Sequence, residues 1–253
     1  MKRLAVNADD FGFTPGVTAG ILRAMQGGVV TGTTAMVCVD GAVERTLESA
    51  AAVPGRVGVH LQLTDGAPCL PPSEVPTLCG PDGRFPRSWR ELSSEIDTEQ
   101  VRREWTAQVQ RLLDRGLRPS HLDSHHSVHM NPRCTRAYVA VARHFDLPVR
   151  GGDARLARHF KARGVRCADA CEMGWKGEPD VDVLLDLLRG AFAQLGDDAT
   201  IELMCHPAMV DDDLKARSSH TDSRESELAV LCSPALADGL RSLDVQLVLP
   251  SEV

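Results

Sequence analysis

Short apolar runs alternate along the chain with longer stretches whose apolar residues recur every three or four positions. The runs cover residues 4–8, 33–39, 57–63, 121–125, 148–151, 200–206 and 245–249, and their alternating character predicts strands. The stretches between them, 17–26, 42–52, 99–115, 133–145, 181–195 and 225–240, carry the helical period. Residues 167–173 add a less regular eighth strand. Strand and helix in alternation predict an α/β fold built on a mostly parallel sheet or barrel.

Two segments break this rhythm. Residues 65–94 are rich in Pro and Gly, including Pro71-Pro72 and Gly80-Pro81-Asp82-Gly83, and read as one long loop, the kind that forms a lid or substrate wall. Residues 211–223 are polar and follow the strand that ends at His206-Pro207.

Composition narrows the picture without changing it. The 253 residues fit a single α/β domain over 1–253, with 43% hydrophobic and 25% charged positions as in ordinary globular proteins. A net charge of −7 without a dense Lys/Arg run argues against a nucleic-acid partner. No stretch reaches membrane-spanning length. Lys2 and Arg3 precede only Leu4-Ala5-Val6 before polar Asn7, too short for a signal-peptide core. The eight cysteines form no C-x-x-C, and Cys167 with Cys171 lacks a second close pair for zinc. The expectation is reduced thiols and a cytoplasmic location.

The chemistry gathers where strands end. Asn7-Ala8-Asp9-Asp10-Phe11-Gly12 sets two carboxylates directly after the first run, and such a pair must be solvated, salt-bridged or bound to a cation. In Val57-Gly58-Val59-His60-Leu61-Gln62-Leu63, Gly58, His60 and Gln62 share the face turned into the barrel. Four of the nine histidines fall within His121-Leu122-Asp123-Ser124-His125-His126-Ser127-Val128-His129. Strand alternation there sets His121, Asp123 and His125 on one side and His126 on the other. Imidazoles beside a carboxylate suit a divalent metal, the Asp either ligating or orienting a ligating His. His206 ends the sixth run on the face of Met204 and Glu202. Asp9/Asp10, His60, Asp123/His125 and His206 thus converge on the end of the sheet where α/β barrels keep their active sites.

These motifs, together with Thr31-Gly32-Thr33-Thr34-Ala35-Met36-Val37, Met204-Cys205-His206-Pro207 and Arg224-Glu225-Ser226-Glu227-Leu228, resemble the YdjC/ChbG-like carbohydrate deacetylases over nearly the whole chain. The resemblance implies a distorted (β/α) barrel, commonly a homodimer, that removes the N-acetyl group of an amino sugar or chitooligosaccharide with one divalent metal. Zn²⁺ or Mg²⁺ heads the list of metals, followed by Co²⁺, Mn²⁺ and Ni²⁺. Carried across, Asp10, His60 and His125 are the metal ligands and Asp9 the general base. His206, or else His129, protonates the departing amine. Asp123, His129, Arg84 and Trp89 are the expected substrate contacts, although an aromatic residue in a loop can equally anchor that loop.

One position departs from the family pattern, with Ser127 standing where relatives carry a histidine. Two other functions compete with deacetylation. A metallophosphoesterase would use similar His/Asp chemistry, but the motifs lack a Gly-rich phosphate loop or an Arg/Lys clamp. A silent sugar-binding protein on the same fold would not need both a metal set and a paired base.

Overall fold

The computed structural model describes residues 1–92, 95–173 and 178–253. Among these, β1 (Lys2–Phe11), β2 (Gly32–Met36), β3 (Val57–Leu61), β4 (Leu122–Ser124), β5 (Ala170–Glu172), β6 (Thr200–Cys205) and β7 (Val245–Leu247) form one parallel sheet, ordered β4-β3-β2-β1-β6-β5 with β7 also on β1. β1 is the axis of the sheet. One side of it pairs with β6 from Arg3 to Ala8. The other side is shared: Lys2 to Leu4 pairs with β7, and Asn7 to Phe11 with β2. β1 is buried from Leu4 to Phe11, with Asn7 the one polar residue between Leu4 and the carboxylates.

The predicted strand at 148–151 is reduced to a single bridge, Leu122 with Val149. This strip still joins the two sheet edges. Arg150 N donates to Leu122 O at 2.8 Å, Val149 N donates to Arg166 O at 2.9 Å, and Cys171 N donates to Gly152 O at 2.7 Å. Pro148 lacks an N–H and Gly151 and Gly152 follow, so a regular ladder cannot form there. The result is a distorted (β/α) barrel that closes through a few bonds. The irregular eighth run is β5.

Helices pack outside the sheet: α1 (Pro15–Gly27), α2 (Ala42–Ala50), α3 (Thr98–Leu113), α4 (Pro132–Phe145), α5 (Ala154–Lys161), α6 (Val181–Leu195), α7 (Asp212–Arg217), α8 (Arg224–Leu231) and α9 (Pro234–Ser242). Their starts carry local signals. Thr14, Asp97, Asn131, Asp153, Asp180, Asp211 and Ser233 each accept a first-turn amide, which satisfies donors the helix itself cannot. The single helix expected over 225–240 is two, α8 and α9. Pro234 has no N–H to continue the first and opens the second, with Ser233 as its cap. The polar break after His206 contains α7, and the unanticipated α5 is a short amphipathic helix that buries Ala157 and Phe160, three apart on one face.

The long loop after β3 is as expected, with short 3₁₀ turns at Pro72–Glu74 and Trp89–Glu91. Its last two positions, Ser93 and Ser94, lie outside the described residues. Among the described residues no helix is long and apolar enough to cross a membrane.

Candidate active site

Adjacent strand residues ordinarily face opposite sides, yet Asp9 and Asp10 both line the same cavity. A bulge in β1 makes this possible. Ala8 pairs with Thr33 and Phe11 with Ala35, so two residues of β1 stand opposite one of β2. Asp10 takes up the extra length at φ +72°, a left-handed conformation that Asp tolerates better than most residues. Both carboxylates are then buried at the C-terminal end of the strands.

Asp10 meets two histidines. Its Oδ1 lies 3.4 Å from His60 Nε2 and 3.4 Å from His125 Nδ1, and those two nitrogens are 3.3 Å apart. Arg224 donates to Asp10 Oδ2 at 2.8 Å, which leaves Oδ1 buried without a hydrogen-bond partner. An orphaned carboxylate oxygen facing two ring nitrogens is costly unless a cation completes it. The triangle also has the spacing of three ligands about 2.0 Å from one ion. The residues therefore fit a divalent cation.

Behind the triangle, Asp123 Oδ1 lies 2.7 Å from His60 Nδ1, and Asp123 Oδ2 accepts from Thr34 Oγ1 at 2.8 Å and Asn7 Nδ2 at 3.2 Å. Asn7 in turn accepts from His121 Nε2 at 2.8 Å. Gly58 lets His121 come this close, since a β-carbon there would stand 2.4 Å from the His121 carbonyl oxygen. Burial alone would lower the His60 pKa, but Asp123 first, then Asp9 and Asp10, raise it to about 9. With no cation bound, a proton takes its place among these carboxylates.

Asp9 is clamped from the side. Arg150 donates to both of its oxygens at 2.7 Å, and to Glu202 at 2.7 Å, with Asp123 at 3.2 Å. Burial would raise the Asp9 pKa. The Arg150 guanidinium outweighs it, helped by His60 and His206, and holds the carboxyl well below the usual range. His206 Nε2 lies 3.8 Å from Asp9 Oδ2, and its ring packs edge-on to His220 with centroids 5.3 Å apart. Burial lowers the His206 pKa against the pull of Asp9. Glu227 fixes this strand end by accepting the His206 amide at 2.6 Å.

A cavity of about 750 Å³ opens over these groups, within the roughly 300–1,000 Å³ typical of small-molecule sites. The structure brings together Asp9, Asp10, His60, His125 and His206 on its wall. It does not bring the four expected substrate contacts there. Asp123 and His129 are fully buried, His129 stacked on Tyr138 at 4.8 Å and bonded through Nδ1 to Ser124 Oγ at 2.6 Å. Arg84 and Trp89 do not line the cavity, and exposed Trp89 carries the Arg90 guanidinium 5.2 Å from its ring. Arg87, Ser88 and Asp65 represent the long loop instead.

The histidine segment also differs from its expected strand. β4 stops at Ser124, and residues His125–Met130 form a 3₁₀ turn with His126 and Ser127 at φ +53° and +51°. The turn brings His126 to the same cavity as His125, their rings 3.9 Å apart, with Ser127 beside them. Alternation cannot anticipate that reversal. Arg150, which the sequence reading missed, does carry a signal there: a lone cation beside an apolar run must find carboxylates.

A family model described as YdjC-like protein matches residues 3–242. The chain belongs to the YdjC family. Relatives named carbohydrate deacetylase include one from Halalkalibacterium halodurans, 36% identical over 93% of this chain and 98% of its own, and one from Oceanobacillus iheyensis, 37% identical over 91% and 96%. A crystal structure from Enterococcus faecalis V583, described as a putative cellobiose-phosphate cleavage protein, superposes with a TM-score of 0.88 at 32% identity, covering 99% of this chain and 98% of that one. A lactam utilization protein from Thermus thermophilus shares the fold alone, with a TM-score of 0.57 at 15% identity, covering 98% of this chain and 100% of that one. Within the YdjC family the bulged Asp pair and the two histidines of this chain thus sit on a full-length barrel.

Proposed function

We propose that the protein is a metal-dependent carbohydrate deacetylase that hydrolyses the acetamide of an N-acetylated sugar. The observation that carries this reading is the Asp10–His60–His125 triangle with its orphaned oxygen, set beside a second carboxylate that stands outside the triangle. A divalent cation held by those three residues would polarise the acetyl carbonyl and acidify water, whose pKa such ions lower from about 15.7 to roughly 7.

The remaining roles fall to the chain itself. Asp9, kept ionised by Arg150, accepts the proton of the attacking water. Its two oxygens are already fixed by the guanidinium, so no reorientation precedes the transfer. His206, on the other side of Asp9 and partly open to the cavity, gives a proton to the amine nitrogen as the C–N bond breaks. Arg224 holds Asp10 by one oxygen and so keeps the other turned toward His60 and His125.

Arg87 on the cavity wall, beside an Arg217 that Asp213 already holds at 2.6 Å, favours a sugar carrying an anionic substituent. It also supplies a cation that the motifs alone lack for phosphoester hydrolysis, so the test separates the two reactions. Acetate and phosphate release are measured from N-acetylated sugars and their phosphates, after chelation and resupply of Zn²⁺, Mg²⁺, Mn²⁺, Co²⁺ or Ni²⁺. The expected result is acetate release restored by metal. Phosphate release without acetate would overturn the reading.

A further inference from the structure

The long loop that supplies Asp65, Arg87 and Ser88 to the cavity is fastened at its root to the end of β2. Gln62 Oε1 accepts the amides of Val37 and Cys38 at 3.0 and 2.9 Å, and Ala67 N donates to Cys38 O at 2.9 Å. Gly66, at φ +84°, is pressed against the same residue, where a β-carbon would stand 2.2 Å from the Cys38 carbonyl oxygen. This packing sets Cys69 of the loop beside Cys38. Their sulfur atoms and a Glu104 carboxylate oxygen all lie within 4.8 Å of one another.

Such a group invites a metal, but its surroundings argue otherwise. Both Glu104 oxygens are taken, Oε1 by Cys69 N at 2.9 Å and Gln108 Nε2 at 2.8 Å, Oε2 by Leu70 N at 3.0 Å. Arg111 Nη1 stands 3.7 Å from Cys69 Sγ and repels a cation while favouring a thiolate. The two sulfurs are also unequal. Cys38 is buried and Cys69 half-buried. The hydrogen bond from Cys38, then Arg111, pulls the Cys69 thiol down against burial and Glu104, whereas burial pushes the Cys38 thiol up. One accessible nucleophile backed by one sheltered thiol is the layout of a redox pair.

We propose that Cys38 and Cys69 form a reversible disulfide, made by peroxides, that ties the cavity loop to the end of β2. The Cys69 thiolate attacks one oxygen of hydrogen peroxide; an S–O bond forms, the O–O bond breaks, and the departing hydroxide takes a proton to become water. Cys38 then gives up its proton and attacks the Cys69 sulfur, forming the S–S bond as the S–O bond breaks and a second water leaves. The two thiols lose two electrons and the peroxide gains them. The sulfurs must close to about 2.05 Å, a movement asked mainly of Cys69 on its loop.

The test treats the reduced full-length protein with hydrogen peroxide, alkylates the remaining thiols and maps the peptides by mass spectrometry. The expected result is a Cys38–Cys69 cross-linked peptide lighter by two hydrogens and reopened by dithiothreitol. In Cys38→Ser, dimedone should mark Cys69 as its sulfenic acid; in Cys69→Ser, Cys38 should stay unmarked. Alkylation of both thiols after peroxide, or a bridge from Cys69 to Cys79 or Cys232 instead, would overturn the proposal. So would one equivalent of zinc bound by the wild type beyond what Cys38→Ser binds, since the same sulfurs would then hold a metal. None of these readouts depends on the deacetylase reading.

Discussion

Asp123 holds His60 from behind at 2.7 Å, Oδ1 to Nδ1, and so aims the other ring nitrogen, Nε2, at the unpartnered oxygen of Asp10. A carboxylate behind a ligating imidazole fixes its tautomer and raises its basicity. Asp123→Asn keeps the shape and removes the charge. Metal affinity is expected to fall about 10–100-fold, read by competition with a chromophoric chelator. Unchanged affinity would mean that His60 does not ligate.

Asp9 and His125 separate by what their loss removes. Asp9→Asn should retain metal while kcat drops on the order of 10²- to 10⁴-fold, the usual loss for a general base. His125→Ala should lose metal and activity together. Metal content measured beside turnover decides, and a metal-free His125→Ala protein with full activity would sink the assigned site.

Arg150 answers three buried carboxylates at once, Asp9, Asp123 and Glu202. Arg150→Met would leave them without their cation. Removing one partner of a buried pair typically costs about 3–5 kcal/mol, and urea unfolding should show a loss of that order. A change below about 1 kcal/mol, the scale of a surface pair, would mean the carboxylates are neutralised in another way.

Buried His121 and His129 set the acid limit of stability. Burial, with Arg150 nearby, pushes both pKa values down to about 3 from the ordinary 6.5. The unfolded chain therefore takes up protons below pH 6.5 that the folded one refuses until about pH 3. Their contribution is intact above 6.5 and drains as pH falls through that window, by at most about 1.4 kcal/mol per unit for each. His60 behaves oppositely: raised to about 9 in the cation-free protein, it contributes fully below 6.5 and loses that contribution as pH rises through 9. Urea midpoints in chelator should thus decline on both sides. His129→Gln should flatten the acid limb, and a wild-type profile level from about pH 6.5 to 4 would refute the assignment.

Much of this was legible in the residues because strand ends announce themselves. Asp9, Asp10 and His206 each follow or close an apolar run and His60 interrupts one near its end, and a parallel barrel brings such ends to one side. What stayed hidden depends on backbone departures or on distance along the chain. The β1 bulge and the left-handed pair His126-Ser127 both break the period that made the strands readable. Arg150 takes its meaning from carboxylates elsewhere in the chain, Asp9 and Glu202 at 141 and 52 residues' distance and Asp123. The composition of residues 65–94 foretells a wall but not which side chains form it, since Pro and Gly locate a loop without orienting it.

The shared flank of β1 bears on how the molecule is made. Asp9 waits for a guanidinium 141 residues later and Asp10 for one 214 residues later, while the lower half of their strand waits for β7. During synthesis Asp9 and Asp10 therefore emerge well before the guanidiniums that pair with them. Burying the first strand before those guanidiniums are in place would strand two charges, so full burial of β1 is expected only once Arg150 and Arg224 have joined the chain.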